Sequence, residues 1–297
     1  MIKKAEVRES LPLKPNKKLG QNFLFDKKIL NNIANLCQSN DRNQRVIEIG
    51  SGYGSLTDFL RISKEDTIVY CFEKDSRLFE FLKLKFSNQN NVKIFFQDSL
   101  EVDWKDFLNK EISGIGIEGK VNIVGNLPYN ISNKLIEKII NQKEVFQKIV
   151  FLVQKEVGLR WVANPKYNKK QYSYLSIFLD YFCERSLNFI IPKEFFNPIP
   201  KVDGAVVSLL LKDNCSISDK NEEKKFLKFV KHCFNFRRKT LFNNIKSLFR
   251  NELLIKLIFK RNLYKENIRP QELWLKDYLI LYKEFNRCKN EKNTTYN

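Results

Sequence analysis

The chain has 297 residues, of which 43% are hydrophobic, so it can bury the core of one large domain and a smaller one. Lys and Arg outnumber Asp and Glu by 53 to 34, and this net charge of +19 favours a polyanionic partner. Six scattered cysteines without a CxxC pair and a single histidine argue against a disulfide scaffold and a zinc site, so no metal is expected. No apolar run approaches the roughly 18 residues of a membrane span, and the charged N-terminus lacks a signal-peptide core. We therefore expect a cytoplasmic protein with no membrane partner.

Residues 1–18 carry two prolines and six Lys or Arg residues, and this composition predicts a flexible basic arm. From residue 45 onward, short apolar runs alternate with amphipathic segments, which is typical of right-handed βαβ crossovers and a mainly parallel sheet with helices on both faces. The predicted strands are Arg45–Ile49, Thr67–Phe72, Val92–Gln97, Val121–Val124, Lys148–Val153, Leu187–Ile191 and Ala205–Leu211. The predicted helices are Lys27–Cys37, Leu56–Ile62, Asp75–Phe86, Asn133–Ile140 and Tyr172–Phe182.

The last two predicted strands are joined by a Pro-rich connection that is too short for the usual crossover, so we expect them to pair antiparallel at the sheet edge. After residue 212 the alternation stops, and the remainder predicts about three helices. Residues 214–297 hold 20 Lys and Arg against 9 Asp and Glu, a net +11. The sequence thus predicts an arm over residues 1–18, an α/β domain over 19–213 and a basic helical domain over 214–297.

The first strand of the alternating region leads into a glycine-rich turn, Gly50-Ser51-Gly52-Tyr53-Gly54. Glycine at every second position lets the backbone turn sharply and approach a ligand at the carboxyl end of a parallel strand. A dinucleotide fold would need the G-x-G-x-x-G spacing, and residue 55 is Ser. The turn therefore predicts a ligand site without a pyrophosphate cradle.

The next two strands end in acidic residues. Glu73 lies about twenty residues after the glycines, where a carboxylate can accept hydrogen bonds from both hydroxyls of a ribose. Asp98 follows the third strand and can take the amino group of an adenine. An acid at one strand end is ordinarily solvated, but acids at successive strand ends beside Gly50 and Gly52 together indicate one nucleoside site.

A fourth strand end carries the tetrapeptide Asn126-Leu127-Pro128-Tyr129. Pro128 donates no hydrogen bond and pushes Leu127 toward an extended conformation. The Asn126 side-chain oxygen and a nearby backbone carbonyl can accept both N–H bonds of an exocyclic amine, while Tyr129 stacks on the ring. The tetrapeptide alone fits an ordinary proline turn, but beside a nucleoside site it predicts a pocket for an adenine. Phe196, in the loop Phe196-Asn197-Pro198, is the candidate for the second wall.

In chain order, these motifs resemble those of the ribosomal RNA adenine N6-dimethyltransferases. The resemblance rests on Gly20-Gln21-Asn22-Phe23-Leu24, the Glu48-to-Gly54 turn, Glu73, Gln97-Asp98, Asn126-Leu127-Pro128-Tyr129 and Phe196-Asn197-Pro198-Ile199-Pro200-Lys201-Val202-Asp203. The basic segment Phe236-Arg237-Arg238-Lys239-Thr240-Leu241-Phe242-Asn243 is similar to the C-terminal signature of the branch that acts on small-subunit rRNA.

The resemblance implies a seven-stranded Rossmann-like class I methyltransferase sheet with a small C-terminal all-α domain. It implies S-adenosyl-L-methionine as the cofactor and a monomer that dimethylates two adjacent adenosines near the 3′ end of 16S rRNA in a small-subunit precursor. The implied cofactor-contacting residues are Asn22, Leu24, Gly50, Glu73, Asp98 and Asn126, and the turn adds Gly52. Contacts to RNA phosphates are expected from Arg237, Arg238 and Lys239.

Two other functions stay open on the sequence. One is the related large-subunit rRNA methyltransferase that confers macrolide resistance; the FRRKTLFN segment and the long basic C-terminal region favour the small-subunit enzyme instead. The other is a non-catalytic nucleic-acid-binding factor on the same scaffold, such as the mitochondrial transcription-factor relatives. A pure binder would not need the combination of Gly50, Glu73, Asp98 and Asn126.

Overall fold

The structure is a computed structural model that describes residues 12–38, 44–64, 66–112, 120–128, 131–249 and 251–294. The chain divides into two compact units. The first takes in the chain up to Gly158 together with Arg185–Leu211, and the second takes in Leu159–Glu184 together with the chain from Lys212 onward. The sequence placed a single domain boundary near residue 213. In the structure, Leu159–Glu184 also belongs to the second unit, because its aromatic side chains pack against the C-terminal helices, as the Tyr181 and Phe226 rings do at 5.4 Å.

The strands of the described residues form one large sheet and one small one. They are β1 Phe23–Leu24, β2 Arg45–Ile49, β3 Ile68–Glu73, β4 Val92–Phe96, β5 Val121–Asn126, β6 Phe146–Gln154, β7 Cys183–Ile191, β8 Phe196–Asn197 and β9 Gly204–Leu211. The seven-stranded sheet has the order β4-β3-β2-β5-β6-β9-β7, and β1 pairs with β8 in a two-stranded antiparallel sheet. Strands β2 to β6 are parallel and β9 runs antiparallel to β6. The predicted α/β fold class is confirmed, and the two strands expected to pair at a sheet edge, β7 and β9, are neighbours there with β7 outermost.

The α-helices of the described residues alternate with the strands until β7. They are α1 Lys27–Leu36, α2 Ser55–Leu60, α3 Ser76–Lys85, α4 Trp104–Ile112, α5 Ser132–Ile140, α6 Lys155–Val162, α7 Tyr174–Phe182, α8 Lys220–Cys233, α9 Leu241–Lys246, α10 Glu252–Arg261 and α11 Leu275–Thr294. Several of their N-caps are Asp, Asn or Thr side chains that accept from the first turn; Asp26, for example, accepts from the Ile29 N–H at 2.8 Å. None of these helices is both long enough and apolar enough to cross a bilayer.

The register of the central strands sets where ligand-binding residues can lie. Ile49 at the end of β2 pairs with Phe72 of β3 on one side and with Gly125 of β5 on the other. The carboxyl ends of these parallel strands are therefore level, and the loops that follow them meet at one edge. The close approach of β2 and β5 requires Gly125, because a Cβ atom there would lie 2.5 Å from the Ile49 carbonyl oxygen.

Residues 12–18 are bonded to the first unit, unlike the free arm expected for residues 1–18. The Tyr53 hydroxyl donates to the Leu13 carbonyl at 2.5 Å, and the Arg77 guanidinium donates to the Lys14 carbonyl at 3.2 Å. Asn16 caps a short 3-10 turn over Lys17–Leu19. These bonds hold the segment that leads into the predicted Gly20-to-Leu24 motif, whereas residues 1–11 lie outside the described part of the chain.

The Gly125 constraint gives a test of the fold. We expect Gly125→Ala to lower the free energy of unfolding by about 1–3 kcal/mol, because the new methyl group meets a backbone carbonyl that cannot move without distorting two central strands. Gly204→Ala is the matched control: its methyl group would meet the ends of the Leu152 and Phe196 side chains, at 2.8 and 2.9 Å. Chemical denaturation of both variants measures the difference, and equal losses would contradict the constraint.

Candidate active site

The segment that leads into β1 and the loops after β2, β3, β4 and β5 enclose a cavity in the first unit, here called the strand-end cavity. It is lined by Leu19, Gly20, Gln21, Asn22, Phe23, Ile49, Gly50, Gly52, Phe72, Glu73, Lys74, Gln97, Asp98, Ser99, Asn126, Leu127, Pro128 and Ile131. Most residues selected from the sequence for a nucleoside site and an adjacent base site therefore share one cavity. They come from five chain segments that are distant in sequence and are brought together by the parallel register.

The glycine turn supplies backbone donors to this cavity. Gly52 has a φ of +59°, and a Cβ atom there would lie 2.9 Å from the Phe23 ring, so the position requires glycine on two counts. The Gly52 N–H donates to the Glu73 carboxylate at 2.9 Å. The turn after β2 is thus fixed to the acid at the end of β3.

Glu73 is held on three sides. Besides Gly52, the backbone N–H groups of Lys74 and Asp75 each donate to the Glu73 carboxylate at 2.9 Å. The side chain is buried, and burial raises its pKa above the ordinary value, although the three backbone hydrogen bonds act in the opposite direction. A carboxylate oxygen has two lone pairs, so the Glu73 oxygen that accepts only from Gly52 can still accept from a hydroxyl of a ligand in the cavity.

Asp98 lines the same cavity as Glu73, and its two carboxylate oxygens each have a partner in the protein. Its Oδ1 accepts from the Leu100 N–H at 2.9 Å, which fixes the loop after β4. Its Oδ2 lies 3.2 Å from the Lys74 Nζ. Lys74 was not selected from the sequence; a lysine after a strand-end acid resembles an ordinary surface residue, and only the structure places its amine on this carboxylate.

Asn126 is oriented by the N-terminal motif. Its Nδ2 donates to the Asn22 carbonyl at 2.7 Å. Because a carbonyl can only accept, this bond identifies the nitrogen and leaves Oδ1 as the acceptor of the amide group. The Leu127 N–H donates to the Leu152 carbonyl at 2.9 Å, and the Pro128 carbonyl accepts from the Ile131 N–H at 3.3 Å. The described part of the tetrapeptide, residues 126–128, is therefore fixed to β6 and to the residue that precedes α5.

Among the described residues, two that were selected from the sequence for the nucleoside and base sites do not line this cavity. Leu24 is 5% exposed and belongs to the core beside β1. Phe196 is 4% exposed, pairs with Leu24 between β8 and β1 and packs in the same hydrophobic cluster, so its role as a wall for a base stays a prediction. Tyr129 lies outside the described residues.

A second acid, Glu48, is buried below the glycine turn. It is 2% exposed and accepts from the Thr57 hydroxyl at 2.5 Å, with the Cys71 thiol at 3.7 Å. Burial raises the pKa of Glu48 to about 7, and the hydrogen bond from Thr57 only partly opposes that rise. Glu48 and Gly50 also line a smaller cavity that Asn126 borders. In the described residues, no group of three or more His, Cys, Asp and Glu side chains is placed to hold a metal ion.

The second unit carries a basic groove, here called the helical-unit groove. It is lined by Lys169, Arg238, Thr240, Lys265, Asn267, Ile268, Arg269, Gln271 and Glu272. Of the three cations selected from the sequence, only Arg238 lines it. Arg237 donates through Nη2 to the Lys170 and Tyr172 carbonyls at 2.7 and 2.9 Å, and Lys239 lies beside the Phe236 ring. Lys169, Lys265 and Arg269 were missed because they lie far in sequence from the Arg237-Arg238-Lys239 run.

The parallel sheet, the glycine turn and the strand-end acids define an α/β protein of the nucleoside-binding, methyltransferase-like class. The family model described as ribosomal RNA adenine dimethylase matches residues 13–285. The chain belongs to that family.

Individual relatives agree with this assignment. The chain is 39% identical over 267 residues to the ribosomal RNA small subunit methyltransferase A of Mesomycoplasma hyopneumoniae, covering 90% of this chain and 95% of the relative. The crystal structure of a dimethyladenosine transferase from Plasmodium falciparum is similar with a TM-score of 0.70 and 26% identity, covering 89% of this chain and 98% of that one. The 23S rRNA methyltransferase ErmE has the same TM-score of 0.70 at 18% identity, covering 89% and 99% of the two chains, which shows a shared fold alone.

The buried Glu48 predicts a pH-dependent stability. Its pKa is raised from 4.5 to about 7 in the folded chain, so the folded state holds the proton more tightly than the unfolded state. Stability therefore falls as the pH rises through this window, by an amount on the order of 3 kcal/mol. Glu48→Gln keeps the shape without the charge, so the variant should gain stability relative to the native chain between about pH 5 and about pH 8. Thermal denaturation at both pH values measures this, and a constant difference would contradict the buried-acid assignment.

Proposed function

We propose that this protein uses S-adenosyl-L-methionine to add two methyl groups to N6 of each of two adjacent adenosines near the 3′ end of 16S rRNA. Membership of the adenine dimethylase family supports the reaction class, and the small-subunit methyltransferases among the relatives support the choice of rRNA. The observation that carries the proposal is the orientation of Asn126, whose Oδ1 is presented as an acceptor beside a cavity that suits a nucleoside. The proposed setting is a small-subunit precursor in the cytoplasm.

The strand-end cavity fits the cofactor. Glu73 has about four lone-pair sites, and three of them accept backbone N–H groups, so one site remains to accept from a ribose hydroxyl. Asp98 Oδ2 can accept from an adenine amine as well as from Lys74, because each carboxylate oxygen has two lone pairs. Gly50, Gly52 and Asn22 provide the backbone surface between them. When bound, S-adenosyl-L-methionine supplies an electrophilic methyl group on sulfur.

The chain's own part in the reaction is to prepare the target amine. The lone pair of an adenine N6 is delocalised into the ring, which makes the nitrogen a poor nucleophile. Asn126 Oδ1 and a backbone carbonyl of the tetrapeptide accept its two N–H bonds and hold the nitrogen in a geometry that frees the lone pair. The bond from Asn126 Nδ2 to the Asn22 carbonyl keeps that acceptor in place before the substrate arrives. Positioning and fixed dipoles therefore supply most of the acceleration, without a titrating base.

We assign RNA binding to the basic helical unit, residues 214–297 with Lys169. The helical-unit groove offers Lys169, Arg238, Lys265 and Arg269 to phosphates, although Lys169 also pairs with Glu272 at 2.7 Å. Such contacts displace counterions, so the affinity for rRNA should fall steeply as salt is raised. The alternative of a large-subunit enzyme is supported only by the fold of ErmE, because 18% identity carries nothing beyond the fold.

The ribose assignment predicts a binding defect. Glu73→Ala should weaken the affinity for S-adenosyl-L-methionine by at least about tenfold, since it removes the charged acceptor of a ribose hydroxyl. Glu80→Ala is the control, because Glu80 is an exposed acid on α3 that pairs only with Lys83. Calorimetric titration measures both variants. Unchanged affinity in Glu73→Ala would remove Glu73 from the cofactor site.

The assignment of Asn126 predicts a catalytic defect. Asn126→Ala should lower kcat by roughly 100-fold or more, the usual loss when a preorganised hydrogen-bonding group is removed, while affinity for the cofactor falls far less. The assay is transfer of labelled methyl groups to unmodified 30S particles and naked rRNA, followed by mapping of the modified bases. Asn141→Ala, at the exposed end of α5, is the control. Methylation of 23S rRNA instead, or full activity in Asn126→Ala, would contradict the proposal.

A further inference from the structure

Phe236 is one of the few phenylalanines of this chain with an exposed ring. The chain has 25 phenylalanines, all within the described residues, and two are exposed: Phe96 and Phe236, each at 56%. Exposing a large aromatic ring costs the free energy that its burial would gain. The basic segment selected from the sequence therefore contains an aromatic surface as well as charges, and the phosphate contacts proposed above do not use it.

The backbone that carries this ring is fixed. Asn244 is 1% exposed, and its side-chain amide bonds to Phe236 on both sides: Oδ1 accepts from the Phe236 N–H at 3.0 Å, and Nδ2 donates to the Phe236 carbonyl at 3.1 Å. The same Nδ2 donates to the Thr240 carbonyl at 3.0 Å, and the Lys239 N–H donates to the Phe236 carbonyl at 2.9 Å. A buried amide thus holds a short turn whose outward side chain is an exposed phenyl ring.

One cation lies over the ring, and a second is exposed two residues along the chain. The Lys239 Nζ lies 4.9 Å from the ring centroid, a cation–π distance, and Arg238 is exposed in the helical-unit groove. Arg237 is tied to the Lys170 and Tyr172 carbonyls, which stiffens the turn from its other side. A rigid aromatic surface flanked by cations matches an unpaired nucleotide, whose base stacks on the ring and whose phosphates meet the cations.

We propose that Phe236 is a stacking platform for an unpaired base of the RNA substrate, with Arg238 and Lys239 contacting the flanking phosphates. The proposal rests on the proposed function. It adds a contact that recognises an unpaired base, whereas the phosphate contacts recognise only negative charge. Bases in a duplex have no free face for the ring, so the contact separates unpaired from paired RNA. It does not depend on the cofactor, and binding measured without cofactor tests it.

Stacking and phosphate contacts differ in their response to salt. Phe236→Ala in the full-length chain should weaken binding to a short unstructured RNA by about tenfold, the order expected for one stacked base. The slope of log affinity against log salt should stay the same, because no charge is removed. Arg238→Ala is the matched comparison, and it should reduce that slope. Binding to a duplex of the same sequence should be unchanged in Phe236→Ala.

Two further variants separate stacking from folding and from mere apolar contact. Phe236→Trp should retain affinity, and its added indole emission should be quenched when RNA binds. Phe236→Leu should lose affinity although it stays apolar. Phe96→Ala removes an equally exposed ring that lies on β4, outside the basic segment, and it should bind RNA as the native chain does.

The proposal is overturned if Phe236→Ala binds single-stranded RNA as tightly as the native chain, or if it loses single-stranded and duplex binding in parallel. Absence of quenching in Phe236→Trp also overturns it. Failure of the proposed function is distinct: the native chain would then not methylate rRNA, whatever its affinity for short RNA. A native chain that methylates rRNA while Phe236→Ala binds unpaired RNA normally refutes the platform alone.

Discussion

The level ends of three parallel strands are the constraint on which the site depends. Ile49 pairs with Phe72 and with Gly125, so the segments after β2, β3 and β5 begin at the same height. A shift of one residue in either pairing would move the glycine turn away from Glu73 and reverse the faces of the strand. The absence of a side chain at Gly125 lets β5 come close to β2, and Asn126 follows it directly at the rim of the cavity.

A polar network extends this constraint to the N-terminal segment. Asp75 donates its N–H to Glu73, and its carboxylate accepts from Gln21 at 2.9 Å and from Arg77 at 2.6 Å. The hydrogen bond from Arg77 is the main reason that the pKa of Asp75 lies below its ordinary value, so Asp75 stays charged where the network needs an acceptor. Gln21 then accepts from the Asn16 N–H at 2.7 Å. The segment that presents Asn22 to Asn126 is therefore positioned by the same loop that holds Glu73.

Much of this arrangement follows from local pattern, and the remainder depends on long-range pairing. The apolar run at Arg45–Ile49 matches β2 to the residue, and the acids at successive strand ends meet because parallel strands end on one side. The short strands Phe23–Leu24 and Phe196–Asn197 have no periodicity of their own and exist only because they pair with each other. Likewise, β9 pairs between β6 and β7, and the alternation of strands and helices in the sequence does not determine which strands become neighbours. For the same reason, Lys74 at Asp98 and the burial of Phe196 were not predictable from composition or spacing.

The helical unit shows why a count of charges overstates a phosphate-binding surface. The segment Arg237-Arg238-Lys239 contains three consecutive cations. The Arg237 guanidinium donates to two backbone carbonyls, so it stabilises the turn in addition to any contact with a ligand. Charge alone also attracts every polyanion to a similar degree and weakens with salt, so it cannot distinguish one stretch of RNA from another. Discrimination has to come from groups with shape and direction. In this turn such a group is supplied by a buried amide, Asn244, that fixes the backbone of an exposed aromatic residue between cations.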